Sequence, residues 1–402
     1  MGRSSGKAPA LRIALVGTRG IPACYGGFET CVEEVGQRLV SRGHHVVVYC
    51  RGGKPEGQAS QDYLGMKLVH LPAPRKRSLE TFVHTGLSVA HLVAHRVDAA
   101  IVFNAANAPW LPILRAARIP VATHVDGLEW QRAKWGRSGK KYYHWAEGLS
   151  VRLSDALIAD AVGIQEYYAS KHQAESHLMA YGAPILGTMA TDKIEELGLT
   201  SGEFHLVVSR FEPENNVDLM VKGYVASNAR HPLVVVGSAP YSAAYTRQVR
   251  DSADSRVRFL GGIWDQELLN QLYAHSLVYW HGHSVGGTNP SLLRAMGAAA
   301  ATNAFDVVFN REVLGGAGAY FATAAEIPAL IDTAENFPDR ISRRSQASVE
   351  RAREYSWDDV AESYETLCLK LASGDLRGSD RGRLHERREP TPSRMGSTEA
   401  GA

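Results

Sequence analysis

Cysteine is scarce in this chain. Four residues, Cys24, Cys31, Cys50 and Cys368, are spread over 402 positions. None forms a C-x-x-C pair, and no His/Cys spacing reads as a zinc site. Two disulfides of the secreted kind remain open, but three of the thiols fall in one predicted helix-and-strand unit. That placement favours free thiols in a reducing compartment. An excess of one charge is also missing: 44 Lys and Arg face 42 Asp and Glu, a formal net charge of +2. A dedicated nucleic-acid binder usually carries a clear basic excess, so no nucleic-acid partner is expected. No run of 18 apolar residues exists that would make a transmembrane helix. The opening MGRSSGKAPA has no apolar core of a signal peptide. It loosely matches a myristoylation pattern, but Arg3 and the lack of any other eukaryotic signal weigh against one. The expectation is a cytoplasmic protein, with peripheral attachment at the inner face of the plasma membrane left open.

What is present is apolar content in short runs. The chain is 45% hydrophobic and 21% charged, the profile of a soluble globular protein long enough for two domains. Leu11–Val16 is an apolar run that ends in a Gly-rich loop, Gly17–Gly27. A helical pattern follows over Glu29–Val40, and a strand over His45–Tyr49. Further apolar runs stand at Leu68–Leu71, Ala99–Phe103, Val121–Val125 and Ala156–Ala159, with a helix between Leu79 and His95. Continuous apolar strands separated by helices imply a parallel sheet covered on both faces. The pattern restarts with strands at Phe204–Val208, Leu233–Val236, Arg256–Leu260 and Leu277–Trp280, and helices at Val217–Ala226 and Ser291–Gly297. Trp357–Leu371 reads as a last helix. The expected fold is α/β, with two Rossmann-like doubly wound domains facing a cleft. The expected boundaries are a flexible N-terminus at 1–10, a first domain at 11–185, a linker at 186–201 and a second domain at 202–355. A C-terminal helix at 356–372 and a tail at 373–402, read as disordered from its Gly, Ser, Pro, Arg and Glu content, complete the chain.

In open parallel sheets ligands sit beyond the carboxyl ends of strands, so loops at those ends are the informative ones. Gly17–Thr30 (GTRGIPACYGGFET) joins a strand to a helix, and its glycines let backbone N–H groups approach a phosphate or sugar. It is not G-x-G-x-x-G and no acidic residue closes the second strand, which argues against a nicotinamide dinucleotide. A tight structural turn is the plainer reading. Asn104 and Asn107 are two amides that suit sugar hydroxyls or, equally, local turn capping. Asp126, in Thr123–Trp130, suits proton transfer or a sugar hydroxyl, or a helix cap. Trp130–Trp145 is basic and aromatic, which fits a membrane interface, an acceptor carrying phosphate, or a solvated helix face with buried rings. Arg210 carries a guanidinium fork suited to a diphosphate or a surface ion pair. His281–Pro290 joins a strand to a helix whose N-terminus could cradle an anion. His281 and His283 have metal-like spacing but no third ligand nearby, so no metal is expected.

Together these loops resemble the retaining glycosyltransferases of family 4, which have the GT-B fold, and more closely a bacterial rhamnosyltransferase-like branch. The strings that carry the resemblance are GTRGIPACYGGFET at 17–30, NAAN at 104–107, VDGLEWQRAKWG at 125–136 and RFEPENN at 210–216. LGGIWDQELLNQLY at 260–273 and HGHSVGGTNPSLL at 281–293 complete them. The resemblance implies that the first domain takes the acceptor and the second a nucleotide diphosphate sugar, with no cofactor beyond that donor. It implies donor-binding roles for Gly26, Gly27, Arg210, Asn215, Asn216, Gly286, Gly287, Thr288, Asn289 and Arg294. Asp126 and Arg210 become the catalytic candidates, and Asn104, Asn107, Glu129 and Trp130 the acceptor-binding ones. Two departures stand out. Of the two Glu positions of the wider family, the first is Gly286, as expected for this branch, but the second is Arg294 where the branch generally has Glu, and Arg cannot accept hydrogen bonds from ribose hydroxyls. Asn215 and Asn216 stand near the place of a Lys that pairs with the diphosphate-binding Arg. The implied activity is transfer of a hexosyl group, rhamnosyl in this branch, to a saccharide acceptor that can be lipid-linked, in cell-surface polysaccharide or glycan synthesis. A catalytically silent sugar-nucleotide or glycan-binding homologue is the alternative that Arg294 motivates. An epimerase acting on the donor without an acceptor is a third.

Overall fold

The computed structural model describes residues 9–23, 26–52, 62–74, 80–125, 127–238 and 243–376. The expectations for Asp126, Cys24, residues 1–8 and the tail from 377 onward therefore lie outside the described residues.

The first sheet has eight strands: β1 (Arg12–Val16), β2 (His45–Arg51), β3 (Asp62–Tyr63), β4 (Met66–Leu71), β5 (Ala99–Phe103), β6 (Val121–His124), β7 (Ala156–Ala159) and β8 (His177–Leu178). Their spatial order is β3-β4-β2-β1-β5-β6-β7-β8, with every pair parallel except β3–β4. All of Ala99–Phe103 is buried, as expected of a strand covered on both faces. The helices between these strands are α1 (Gly27–Ser41), α2 (Glu80–His95), α3 (Leu111–Ala116), α4 (Arg137–Leu153) and α5 (Val162–His172). Between β5 and α3 runs a 3-10 turn, Ala105–Trp110. One apolar cluster joins β1, β2 and β5 to α2, α3 and the turn before it, on one face of this sheet.

The second sheet has six parallel strands in the order β11-β10-β9-β12-β13-β14. They are β9 (His205–Val208), β10 (Leu233–Val236), β11 (Val257–Gly261), β12 (Val278–His281), β13 (Thr302–Phe305) and β14 (Gly318–Phe321). Helix α6 (Asp192–Glu196) precedes the sheet. Helices α7 (Val217–Val225), α8 (Ala243–Asp251), α9 (Gln266–His275), α10 (Pro290–Gly297) and α11 (Val308–Leu314) alternate with its strands, and α12 (Ile327–Asn336) and α13 (Pro338–Ala352) follow.

The final helix is α14 (Trp357–Ser373), whose packing partner the sequence leaves open. It returns to the first sheet and packs on α1. Arg42 bonds Glu365 at 2.7 Å, and Arg38 bonds Asp358 at 2.8 Å. The His44 ring fixes the geometry: its Nδ1 accepts from the Leu11 N–H at 3.1 Å, so its Nε2 carries the proton and donates to Glu365 at 2.9 Å. Helix α14 also runs one residue into the expected tail and ends on Gly374, whose φ of +84° is the left-handed C-cap glycine favours.

Candidate functional site

A cleft of about 800 Å3 lies between the two sheets. Its walls are the segments that leave the carboxyl ends of strands. After β1 come Gly17–Arg19 and the start of α1, after β2 Arg51, after β5 Asn104, after β6 Glu129–Tyr143, and after β7 Asp160. From the second sheet come Arg210 to Glu214 after β9 and His283–Pro290 after β12. A doubly wound sheet places ligand loops on this side.

The halves touch closely around the 286–290 loop. Thr288 Oγ1 donates to the Asp160 carbonyl at 2.5 Å. A Cβ on Gly287 would lie 2.0 Å from Asp160 Oδ1, so the contact admits no side chain there. Gly286 has φ +141° and nothing within 4 Å of a built Cβ, so its constraint is the backbone and not space. Gly27 sits across from Pro290, 3.2 Å from a built Cβ to its Cγ. Arg132 of the first half reaches Glu214 of the second at 3.2 Å.

The electrostatics of the cleft are mixed. Burial would raise the Glu129 carboxyl, but Arg132 and Lys134 outweigh it and hold the group below the ordinary carboxylate range. Lys134 Nζ lies 2.5 Å from Glu129 Oε1, the Trp135 indole donates to the same oxygen at 3.3 Å, and Arg132 takes the other oxygen. On the opposite wall the His281 and His283 rings stack 4.5 Å apart. Burial pushes His281 down to about 3. It pushes His283 well below its ordinary value, helped by His281, Arg210 and Arg132. Both rings are neutral at physiological pH. His283 Nδ1 is buried without a hydrogen-bond partner among the described residues. The second-sheet wall therefore presents Arg210, a neutral imidazole and the N-terminus of α10, a set that attracts anions. Among the described residues no group of three or more His, Cys, Asp or Glu could hold a metal ion.

The residues singled out in the sequence separate into two groups. Gly26, Gly27, Asn104, Glu129, Arg210, Gly286, Gly287, Thr288 and Asn289 all line the cleft. Gly26 is the N-cap of α1. Asn289 caps α10, its Oδ1 accepting from the Ser291 N–H at 3.0 Å. Asn104 also caps its own turn, accepting from the Ala106 N–H at 2.9 Å. Asn107, Trp130, Asn215, Asn216 and Arg294 do not reach the cleft wall. Asn107 is fully buried and donates to the Phe103 carbonyl at 2.8 Å and that of Gly17 at 3.4 Å, tying two strand ends together. Trp130 packs on His144, ring centres 4.7 Å apart, under the Lys171 ammonium. Asn215 donates to the Arg210 carbonyl at 2.8 Å and so shapes the Arg210 loop. Asn216, at φ +50°, donates to the Gly282 carbonyl at 2.8 Å. Arg294 projects from α10 onto Gln266 Oε1 at 2.9 Å.

Asp160, Arg51 and Glu80 carry no ligand role in the sequence analysis, His283 enters it only through its metal-like spacing and Tyr142 only within the basic and aromatic stretch, yet each lines the cleft. Asp160 had a signal, since it directly follows the apolar run Ala156–Ala159. Arg51 donates to the Thr18 carbonyl at 3.2 Å and Thr81 Oγ1 at 3.0 Å, and lies 3.5 Å from Glu80. Nothing local in the sequence joins those three segments.

Residues 11–184 match a family described as a domain of unknown function, DUF1972. A comparison with curated protein sequences finds no match. Solved structures do match over nearly the whole chain. Sucrose-phosphate synthase from Thermosynechococcus elongatus is 18% identical with a TM-score of 0.77, covering 90% of this chain and 99% of its own. Anabaena HepE in complex with UDP-glucose is 16% identical at a TM-score of 0.71, covering 89% and 99%. An alpha,alpha-trehalose-phosphate synthase (UDP-forming) from Burkholderia vietnamiensis is 10% identical at 0.70, covering 92% and 99%. At these identities the likeness concerns the fold, and it establishes that the chain has the GT-B architecture of two Rossmann-like domains facing a cleft.

Proposed function

We propose that this chain transfers a glycosyl group from a nucleotide diphosphate sugar to a saccharide acceptor. One observation carries the reading. The cleft sets the N-terminus of α10, the 286–289 loop and Arg210 on one wall, opposite the glycine turn of α1 on the other. Such a pair of walls suits a diphosphate between two domains. The structural neighbours HepE and trehalose-phosphate synthase are described with UDP, UDP-glucose or as UDP-forming, which supports a nucleotide sugar as donor here. In this reading residues 202–355 hold the donor and 11–185 the acceptor.

The chemistry follows from charge. The bond from the anomeric carbon to the diphosphate oxygen breaks, a bond from that carbon to the acceptor hydroxyl oxygen forms, the hydroxyl proton passes to the departing diphosphate, and negative charge grows on the leaving oxygen as the bond breaks. Arg210 and the loop N–H groups stabilise that charge by fixed electrostatics. His283, held neutral by its surroundings, offers a buried nitrogen to the donor without adding charge. On the acceptor side Arg51, Glu80 and Thr81 give hydrogen-bonding groups beside the flat faces of Phe82, Trp135 and Tyr142, an arrangement suited to a pyranose. The finer reading is a retaining hexosyl transfer, rhamnosyl by the sequence resemblance, onto a saccharide of a cell-surface glycan. Asp126 stays the candidate beside the reacting carbon.

The test is direct. Purified protein is incubated with a panel of nucleotide diphosphate sugars and glycan acceptors, and nucleoside diphosphate release is measured. Thermal shift with each donor names the binder, since a ligand at a hundred times its Kd stabilises by about 2.7 kcal/mol. Absence of release from every donor rejects the enzymatic reading. Arg294, held by Gln266, supports a second reading, a silent sugar-nucleotide binder. Turnover gained from none in Arg294→Glu would establish that one.

A further inference from the structure

Helices α2, α3 and α4 pack side by side with the 105–110 turn between them. The Trp110 indole donates to the Phe82 carbonyl of α2 at 2.9 Å, and the Tyr142 hydroxyl of α4 donates to the Ala106 carbonyl at 2.6 Å. Their inner faces cover the first sheet. Their outer faces are unusual in composition.

On α2 the exposed positions Val83, Leu87, Ala90 and Ala94 follow helical spacing and form one apolar stripe. On α3 Pro112, Ile113 and Ala116 are exposed. On α4 Arg137, Lys141, Trp145 and Arg152 share a stripe at i, i+4, i+8 and i+15, with Lys140 beside it, all exposed. Val83, Leu87, Ile113 and Trp145 are 36%, 39%, 43% and 54% exposed. Single exposed apolar residues need no explanation, whereas several on one face do. The three helices hold two carboxylates, Glu80 and Glu147. The first pairs with Arg51, and the second is buried under Lys171. The face is thus apolar at its centre, cationic along α4 and without an exposed carboxylate on its helices.

We propose that this face docks the protein on an anionic lipid bilayer. Exposed Lys and Arg beside Trp and small apolar groups match the headgroup and upper acyl region of such a membrane, and the positive charges complement its surface potential. Phe82, Ser138 and Tyr142, which belong to the same helices, line the cleft. An acceptor carried in the membrane would therefore meet the cleft at the edge of the docked face. That last consequence rests on the transferase reading, whereas the docking itself does not.

The experiment is sedimentation of the full chain with vesicles of phosphatidylcholine alone or mixed with phosphatidylglycerol at 3:1. Binding to the anionic vesicles only, weakened as salt rises, is the expected result. The Arg137→Glu/Lys141→Glu variant should bind at least tenfold more weakly, and Trp145→Ala severalfold more weakly. Lys370→Glu, on the opposite face, should bind like the parent. Melting temperatures of all variants are compared so that a folding defect is seen. No sedimentation with anionic vesicles overturns the proposal, as does equal binding to neutral ones. Undiminished binding of the charge-reversed variant does so too. The assay contains no donor and no acceptor, so its failure leaves the transfer reading untouched, and failure of transfer leaves the docking result standing.

Discussion

Replacing Gly287 by Ala tests whether the two halves meet through the 286–289 loop as closely as the geometry requires. The added methyl carbon would lie 2.0 Å from Asp160 Oδ1, 2.5 Å from its Cγ and 2.7 Å from Oδ2. Ordinary contact begins at 3.4 Å, so either the loop or the carboxylate must move by about 1.4 Å. Asp160 has little room to yield, being 3% exposed, with its carbonyl held by Thr288. Forcing a methyl into such a packed contact costs about 1–3 kcal/mol. For a domain of this size that lowers the melting temperature by about 2–12 °C. Gly187→Ala is the matched control, because a Cβ there meets nothing within 4 Å. Calorimetry or thermal shift measures both. The double variant Gly287→Ala/Asp160→Ala should recover most of the loss, giving a coupling energy well above the ~0.5 kcal/mol seen for independent sites. Donor turnover should fall by roughly a hundredfold, the cost of an ångström-scale displacement of a positioning loop. If Gly287→Ala melts with the Gly187→Ala control and turns over like the parent, the close contact is wrong.

Three further outcomes follow from particular side chains. Glu129→Gln leaves Lys134 without its carboxylate and Arg132 with Glu214 alone, and should cost about 3 kcal/mol near neutral pH. The Glu129 carboxyl is lowered in the fold, so its stabilisation is complete above the ordinary carboxylate range and is lost as pH falls through the lowered value. The gap between parent and variant melting temperatures should therefore stay constant at neutral pH and narrow as pH falls through and below the ordinary carboxylate range. Glu365→Ala strands the buried Nε2–H of His44 and leaves Arg42 only the Asp358 carbonyl, and should cost about 2 kcal/mol, read by denaturant titration. Cys31, Cys50 and Cys368 are buried free thiols, and burial lifts Cys31 and Cys368 to about 12. None of the three should react with a thiol reagent at pH 8 until the chain unfolds. Rapid labelling of Cys31, Cys50 or Cys368 in native protein would contradict the burial of these three.

The parts of the fold that could be read from sequence are those where one chemical property decides the structure. Ala99–Phe103 and Ala156–Ala159 match to the residue, because a strand covered on both faces must be apolar throughout. Thr302–Phe305 and Gly318–Phe321 escape the same test. Both are four residues long, TNAF is half polar and GAYF opens on a glycine, and a strand of that kind is stabilised by its neighbours in the sheet and not by its own pattern. Helix α14 shows a different limit. Its periodicity marks Tyr364, Leu367 and Leu371 as a buried face, but periodicity does not name the partner, and the helix covers the first sheet and not the second.

The site divides along the same line. Position at a strand's carboxyl end was enough to find the 286–289 loop, Arg210 and Gly26–Gly27, since topology alone sends those segments to the cleft. Asp160 satisfies that rule equally well and could have been found by applying it to every strand. Amide side chains behave differently. Asn104, Asn107, Asn215 and Asn216 sit in comparable loops, yet Asn104 lines the cleft while capping its own turn, and the other three lie off the cleft wall and donate to nearby carbonyls. An Asn at a strand end is pulled toward whichever buried carbonyl would otherwise lack a donor, because leaving that oxygen unpaired costs about 1–3 kcal/mol, more than a sugar hydroxyl competing with water returns. The residue type therefore locates a polar turn, and the carbonyls around it decide which of these amides are drawn away from the cleft.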